Sequence, residues 1–553
     1  MEQRIQSERK DYLILFLAGL ILLFLRSAYT LFVPSLFSED GAWISSILSN
    51  GFLHTLFHAR EDYLVCGNIL MLGLVVLLNH IFFGDNLNHL PQFVVLVHYC
   101  FYSVFALLPV ICFKNNVKKI FRLFMWFLVL TVPLGTTAIE TMGKILNVGY
   151  VFYNIAFLLL FYKINNRNEL GKITLAIIDI TLLICCTTHP GSYVLVGVAF
   201  FVDIAIQVKN MQTGSILNKA KSLFVEYYNR EWLLLGCLCT IAFLYDSIYL
   251  NANQNVYGFA LNKSTIEFVA RCLIYYFTYP FYFKLNNAIC LIILFSLAAL
   301  FLFVFTNKKI LKLQKIRLAF ILCATLFYFI ITWAARSIGL TSYLSNYSVL
   351  FADRYYCGTN IMMMLTVIYM ISLMIEYLQI PLKILAGLLG IYMVVTPFVN
   401  LTYIFQYDNE PTKWSHVIPF SERIQEASYD ANSGNYIVDI DPGTWTIQID
   451  EKYYLASLQN TRHAQPLTAA NFTDVNWTNG IGVQPGLDNV ILLEGKWLSL
   501  IENCTSLTSG TQTVNILEIR DYGQWVHVVC DTTDLQAFSY PNEITYTLKQ
   551  TDG

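Results

Sequence analysis

Residues 1–43 read MEQRIQSERKDYLILFLAGLILLFLRSAYTLFVPSLFSEDGAW: a charged head, a long apolar run, and then the acidic turn Ser38-Glu39-Asp40-Gly41. A helix that crosses a bilayer needs about 20 mostly apolar residues, so the run is long enough to span. It is too long for the apolar core of a cleavable signal peptide and reads as a signal anchor. Similar runs recur to about residue 404 and then stop. Across the 553 residues, 56% are hydrophobic and 13% charged, and the mean hydropathy is +0.53. Soluble globular proteins carry roughly 25% charge, which excludes an ordinary soluble enzyme. The chain divides into a polytopic α-helical membrane domain, residues 1–404, and a polar domain, residues 405–553. The net charge of −2 shows no basic excess, which argues against nucleic acid as a partner.

Candidate spans lie near 12–36, 63–83, 92–113, 120–136, 149–162, 173–187, 192–207, 232–250, 270–283, 286–306, 318–334, 356–376 and 383–404. Lys and Arg mark cytoplasmic loops. They cluster at Arg4/Arg9/Lys10, Lys114/Lys118/Lys119/Arg122, Lys163/Arg167/Lys172, Lys209/Lys219/Lys221, Lys308/Lys309/Lys312/Lys315/Arg317 and, weakly, Lys383. All of these fall on one side only if 63–83 and 270–283 do not cross. The first carries Asn68, Asn79 and His80. The second, RCLIYYFTYPFYFK, is short, aromatic and interrupted by Pro280, as interfacial segments are. About eleven spans remain, with interfacial helices beside them. The N-terminus is then cytoplasmic and the polar domain extracytoplasmic. Long outer loops at about 37–62, 137–148, 251–285 and 335–355 point to chemistry at the outer face.

From about 405, after the junction DNEPTKWSH, short β-prone runs appear: NYIVDI, TWTIQI, NVILLEG, VNILEIRD, QWVHVVC and EITYTLK. Alternation of apolar and polar residues between Asp-Pro-Gly, Asn-Gly and Ser-Gly turns predicts a small β-sandwich. Five of the nine tryptophans fall here, and either core packing or stacking on sugar rings would use them. Eleven of the 13 cysteines lie in the apolar part without metal-ligand spacing and read as small buried residues. Cys504 and Cys530 are the two in the polar domain, and a disulfide between them is open if that domain lies outside the cytosol.

The chain has no Gly-x-Gly-x-x-Gly opening a helix, no P-loop, no His-Glu-x-x-His and no Gly-x-Ser-x-Gly. Nucleotide-driven transport and dinucleotide chemistry lose support. The sharpest feature is the pair Glu39-Asp40 just after the first span. Adjacent carboxylates at a membrane surface are costly to desolvate. One reading is a general base that takes a proton from an acceptor hydroxyl, with a neighbour that orients it or holds a divalent cation such as Mg or Mn. The other is an acidic first turn of a following helix, favoured by the helix dipole. Glu140, in LGTTAIETMGK, either completes an acidic outer cavity or is a solvated charge. His189, in the hairpin Thr187-Thr188-His189-Pro190-Gly191, either binds phosphate or moves a proton, or has no role. Arg26, Arg336 and Arg354 lie in or beside spans on the outer half. Their planar forks suit a phosphate head group, or a structural carboxylate such as Asp179, Asp203 or Asp353.

An acidic pair after the first span, an amphipathic segment, further spans and a second acidic residue in the next outer loop resemble the GT-C superfamily of integral membrane glycosyltransferases. The run FSEDGAWISSILSNGFLHTLF resembles the first-loop segment of bacterial members. The layout is similar to that of phage-type O-antigen glucosyltransferases, which convert serotype. CCTTHPGSYVLVG resembles a turn that contacts the donor phosphate in relatives, with His189 where they carry Lys, and FADRYY resembles an Arg-Tyr signature near the last spans. The layout covers about residues 10–404, and the C-terminal domain has no counterpart. The resemblance implies transfer of a hexose, glucose above all, from a polyprenyl-phosphate donor to a surface polysaccharide at the outer face of a bacterial cytoplasmic membrane. Asp40 or Glu39 would be the base, Glu140 would assist or bind metal, and Arg26, His189, Arg336 and Arg354 would hold the phosphate. A polysaccharide polymerase or ligase would share the topology and arginines. A glycolipid flippase would instead place charges such as Asp179 and Asp203 along a mid-membrane path.

Overall fold

The structure, a computed structural model, describes residues 2–27, 29–32, 34–132, 141–166, 170–210, 218, 232–250, 270, 274, 277–282, 287–344, 353–399, 419–425, 427–430, 433–441, 445–458, 481–483, 489–494, 497–502, 504–521, 525–538 and 545–548. It is mostly helical, with β structure at the C-terminal end. The chain forms two compact units. One holds residues 1–32, 53–71 and 95–416, and the other holds 33–52, 72–94 and 417–553. This differs from the linear division at 404/405, because two N-terminal segments belong with the polar C-terminal residues.

The helices begin with α1 (Glu2–Arg26), α2 (Tyr29–Phe32), α3 (Glu39–Asn50), α4 (Phe52–His58), α5 (Cys66–Phe83), α6 (Leu90–Cys112) and α7 (Lys119–Leu130). A 3₁₀ turn, Leu146–Val151, leads into α8 (Phe152–Asn165), followed by α9 (Lys172–Cys186), α10 (Gly191–Asn210) and α11 (Leu233–Leu244). Then come α12 (Asn287–Thr306), α13 (Lys312–Leu344), α14 (Asp353–Tyr377) and α15 (Ile380–Val399). Among the described residues six helical stretches are long and apolar enough to cross a membrane: Cys66–Phe83, Leu90–Cys112, Leu146–Asn165, Ala288–Thr306, Lys312–Thr332 and Tyr355–Tyr377.

The first of these is the segment expected not to cross. Its asparagines are not the barrier they look in sequence, because both are buried with partners. Asn68 Nδ2 donates to the carbonyls of Ile145 and Leu146, and Asn79 Nδ2 to that of Asn86. Leu70, Leu74, Leu77 and Ile81 form an exposed stripe at helical spacing along α5, an apolar face suited to lipid. The second such segment, 270–283, lies largely outside the described residues.

α14 is the centre of the membrane unit and is buried almost throughout, packed by α7, α8, α13, α15 and the 3₁₀ turn. Lipid tails are as apolar as leucine, so helix association here rests on close packing rather than on the hydrophobic effect. Met362, Met363, Met364, Met370 and Met374 supply it with unbranched, adaptable side chains.

The C-terminal strands form two antiparallel sheets. The first, in the order β1-β2-β3, comprises β1 (Ser428–Asp430), β2 (Asn435–Ile440) and β3 (Trp445–Ile449). The second, in the order β4-β5-β8-β7-β6-β9, comprises β4 (Ile481–Val483), β5 (Val490–Glu494), β6 (Cys504–Ser509), β7 (Gln512–Asp521), β8 (Trp525–Cys530) and β9 (Thr545–Leu548). Each predicted β-prone run coincides with one of these strands. Alternation sets the inner faces: Tyr436, Val438, Ile440, Ile447 and Ile449 in the small sheet, and Ile491, Leu493, Val514, Val526 and Val528 in the large one.

The disulfide does not form. Cys504 on β6 and Cys530 on β8 are both free and buried. β7 lies between their strands. Two strand spacings come to about 9.6 Å, beyond the roughly 7 Å Cα separation that a disulfide bridges. Burial pushes the Cys530 thiol up to about 12, which keeps it protonated and unreactive. Reductant is therefore expected to leave the melting temperature of the full chain unchanged. A fall with dithiothreitol would show a bridge.

His527, fully buried on β8, is held neutral down to about 4 by burial, helped by the Arg520 charge. Below the ordinary histidine value near 6.5 the unfolded chain takes up a proton that the folded sheet refuses. Stability is then lost as pH falls from about 6.5 towards 4, at about 1.4 kcal/mol per unit and roughly 3 kcal/mol in full. Melting followed by proteolysis of residues 490–530 should show this slope in the wild type and lose it in His527→Phe.

Candidate functional site

The acidic turn lies in the unit that carries the C-terminal sheets. α3 begins at Glu39, so both carboxylates occupy its first turn, where the helix dipole favours negative charge. Asp40 is nonetheless fully buried, which a dipole effect at a solvated helix start does not require. Glu39 is half-buried and accepts a hydrogen bond from the Ser38 hydroxyl. Asp40, Trp43, Ile44 and Ile47 share the buried side of α3, and the helix lies on β3. Gly41 permits the close approach, since a Cβ there would collide with Ile440 Cδ1. Ser45 Oγ fixes the other turn of the helix by donating to Gln448 O at 2.7 Å and accepting from Gln448 N at 3.2 Å.

In the membrane unit, the cations of greatest interest are Arg26, at the end of α1, and Lys144, in the loop before the 3₁₀ turn. Both are buried, at 7% and 2% exposure. His98 of α6 lies close enough for both charges to act on it. Its Nδ1 accepts from Gly143 N at 3.3 Å, so in the neutral ring Nε2 carries the proton. The ring is buried, and the Thr141 backbone lies within hydrogen-bonding reach of it. Gly143 has φ +70°, and a Cβ there would stand 3.2 Å from Thr30 and Val95, so glycine suits both the conformation and the space. A guanidinium, an ammonium and an imidazole are thus buried near one another, groups whose chemistry suits a phosphate.

Arg26 also has a structural task. Its two terminal nitrogens donate to the carbonyls of Leu130, the last residue of α7, and Val132, at 2.8 and 2.7 Å. His189 is half-buried in an aromatic corner, edge-on to Tyr328 and Tyr153 at 5.2 and 5.8 Å. Those tyrosines stack on each other and spend their hydroxyls on the carbonyls of Tyr150 and Ala324. Arg336 and Arg354 lie on α13 and α14, and their side chains fall outside the described residues, as does Glu140 altogether. Arg26 and His189 thus share a unit, and Glu39 and Asp40 share the other.

Asp179 and Asp203 have partners. Asp179 pairs with the buried Lys163 at 2.6 Å, Lys163 Nζ lies 4.5 Å from the Trp232 ring centre, and Trp232 Nε1 donates to Asp203 at 3.2 Å. This ties α8, α9 and α10 together. Among the described residues no three His, Cys, Asp or Glu side chains gather to hold a metal ion, so no step is assigned to one.

Lys144 and His98 were not singled out from the sequence. Lys144 had a signal: a lone lysine in a loop that the charge pattern assigns to the outer face, against the positive-inside trend. His98 had none, being one polar residue in an apolar run. No protein-family model and no curated protein matches the chain.

Proposed function

We propose that this chain is an integral membrane glycosyltransferase of the GT-C kind. It moves a hexose, with glucose the leading candidate, from a polyprenyl-phosphate donor to a surface polysaccharide such as O-antigen. The observation that carries the reading is the buried, donor-rich set of Arg26, His98 and Lys144 in the membrane unit. The phosphate of a lipid-linked donor suits such a set while its tail stays in the bilayer. Asp40 takes the proton of the acceptor hydroxyl. The freed oxygen bonds to the anomeric carbon, and the bond from that carbon to the phosphate oxygen breaks, so the phosphate leaves with the electron pair. Glu39 orients the acceptor, and Glu140 assists. A flippase reading loses ground because Asp179 and Asp203 are engaged by Lys163 and Trp232.

The topology of this proposal has about eleven crossings, an inward N-terminus and a periplasmic C-terminal region in a bacterial inner membrane. Its support is local. Leu36 and Ser38 bond to Asp441, and Leu87 and Asn88 to Ser457. Residues 36–38 and 87–88 therefore lie beside polar C-terminal residues.

A photoactivatable polyprenyl-phosphate hexose tests the reading. It should label residues 98 and 141–147 and be displaced by unlabelled donor but not by nucleotide sugar. Equal displacement by nucleotide sugar would contradict it.

A further inference from the structure

Ser38 is the one non-glycine residue with positive φ among those described, at φ 50° and ψ −128°. These angles belong to the first central position of a type II′ turn, a place dominated by glycine. The turn is closed, with Asp40 N donating to Phe37 O at 3.1 Å. A serine in this conformation is strained and persists only where its surroundings fix it.

The surroundings come from the far end of the chain. Phe37 pairs with Asp441 in a parallel β-bridge, Ser38 N donates to Asp441 O at 2.6 Å, and Asp441 N donates to Leu36 O at 3.2 Å. Asp441 follows β2 directly and is itself held. Its carboxylate accepts from Arg423 Nη2 at 2.7 Å, and Arg423 Nη1 reaches Asp439 O at 3.3 Å. Arg423 belongs to the short helix Phe420–Gln425. Both partners of the ion pair are largely covered, at 13% and 23% exposure. Such a charge-assisted bond holds its backbone more firmly than a neutral one.

We propose that Arg423 and Asp441 are positioning residues for the acidic turn: they clamp Ser38 in its strained geometry and so set where the Asp40 carboxylate stands. The role rests on the reading of Asp40 as the base. The clamp itself does not. It gives the C-terminal region a task in the reaction: its first sheet is the mould for the acidic turn.

The test uses the full-length protein in detergent. Hydrogen exchange at the Ser38 and Asp40 amides should speed up at least tenfold in Arg423→Gln and Asp441→Asn, with Arg423→Lys restoring most of the protection. Ser38→Gly should keep the protection and Ser38→Val should lose it, because glycine adopts this φ and a β-branched residue does not. In turnover, Arg423→Gln should lower kcat 10- to 100-fold with donor KM unchanged. It should also displace the acidic limb of the pH profile, which loss of fold alone would not do. Unchanged exchange over residues 36–42 in both clamp variants would overturn the proposal. Faster exchange with wild-type kcat would leave the clamp standing and reject its role in positioning a base. No turnover in any variant, wild type included, would count against the glycosyltransferase reading, while the exchange data would still decide the clamp.

Discussion

Asp40→Asn is expected to abolish nearly all turnover, lowering kcat by about 10²–10⁴-fold, the usual contribution of a positioned general base. The substitution keeps the side chain's shape and removes its charge. Asp40 is fully buried in the first turn of α3, so an amide of equal size leaves the packing of Trp43, Ile44 and Ile47 on that face intact. The melting temperature should stay close to that of the wild type. Glu39→Gln should cost far less, because Glu39 is half-exposed and its carboxylate is turned back onto the Ser38 hydroxyl. Initial rates with saturating donor, set beside melting curves of the same preparations, separate the two. Wild-type turnover in Asp40→Asn would leave the acidic pair as a dipole-favoured helix start and nothing more.

Lys144→Gln is the second variant with a large expected effect. A hydrogen bond to a charged group contributes about 1.5–3 kcal/mol, so kcat/KM for the lipid donor should fall roughly 10- to 150-fold. Most of it should appear in KM, since the contact exists before the bond breaks. The contrast with Arg26 makes this specific. Arg26 also holds the carbonyls of Leu130 and Val132, so Arg26→Gln should lower the melting temperature as well as the rate. If Lys144→Gln lowers melting as much as Arg26→Gln and leaves donor KM alone, the lysine is a packing residue and the phosphate site lies elsewhere.

The membrane class and the C-terminal strands were legible in the sequence because each rests on a local pattern. An apolar run of spanning length needs no partner to be recognised, and neither does the alternation in NYIVDI or QWVHVVC. What could not be read was who pairs with whom. Asn68 and Asn79 argued against a membrane helix until their carbonyl partners were known. Cys504 and Cys530 invited a bridge that β7 forbids. The motif Glu-Asp-Gly drew the eye to its carboxylates, while the reason for its glycine, the nearness of Ile440, lies 399 residues away (440 minus 41). Asp441 and Arg423 carried no motif at all, because a backbone bridge and one ion pair leave no repeat in a sequence. His98 was invisible for the same reason: its meaning comes from Gly143 and Lys144, on another segment.

The most direct measurement is transfer of labelled hexose by the purified full-length protein in detergent, supplied with polyprenyl-phosphate hexose and surface polysaccharide. The expected result is label in the polysaccharide with the wild type, none with Asp40→Asn, and none when a nucleotide sugar replaces the lipid donor. Label transferred equally well by Asp40→Asn, or from the nucleotide sugar alone, would contradict the proposed enzyme.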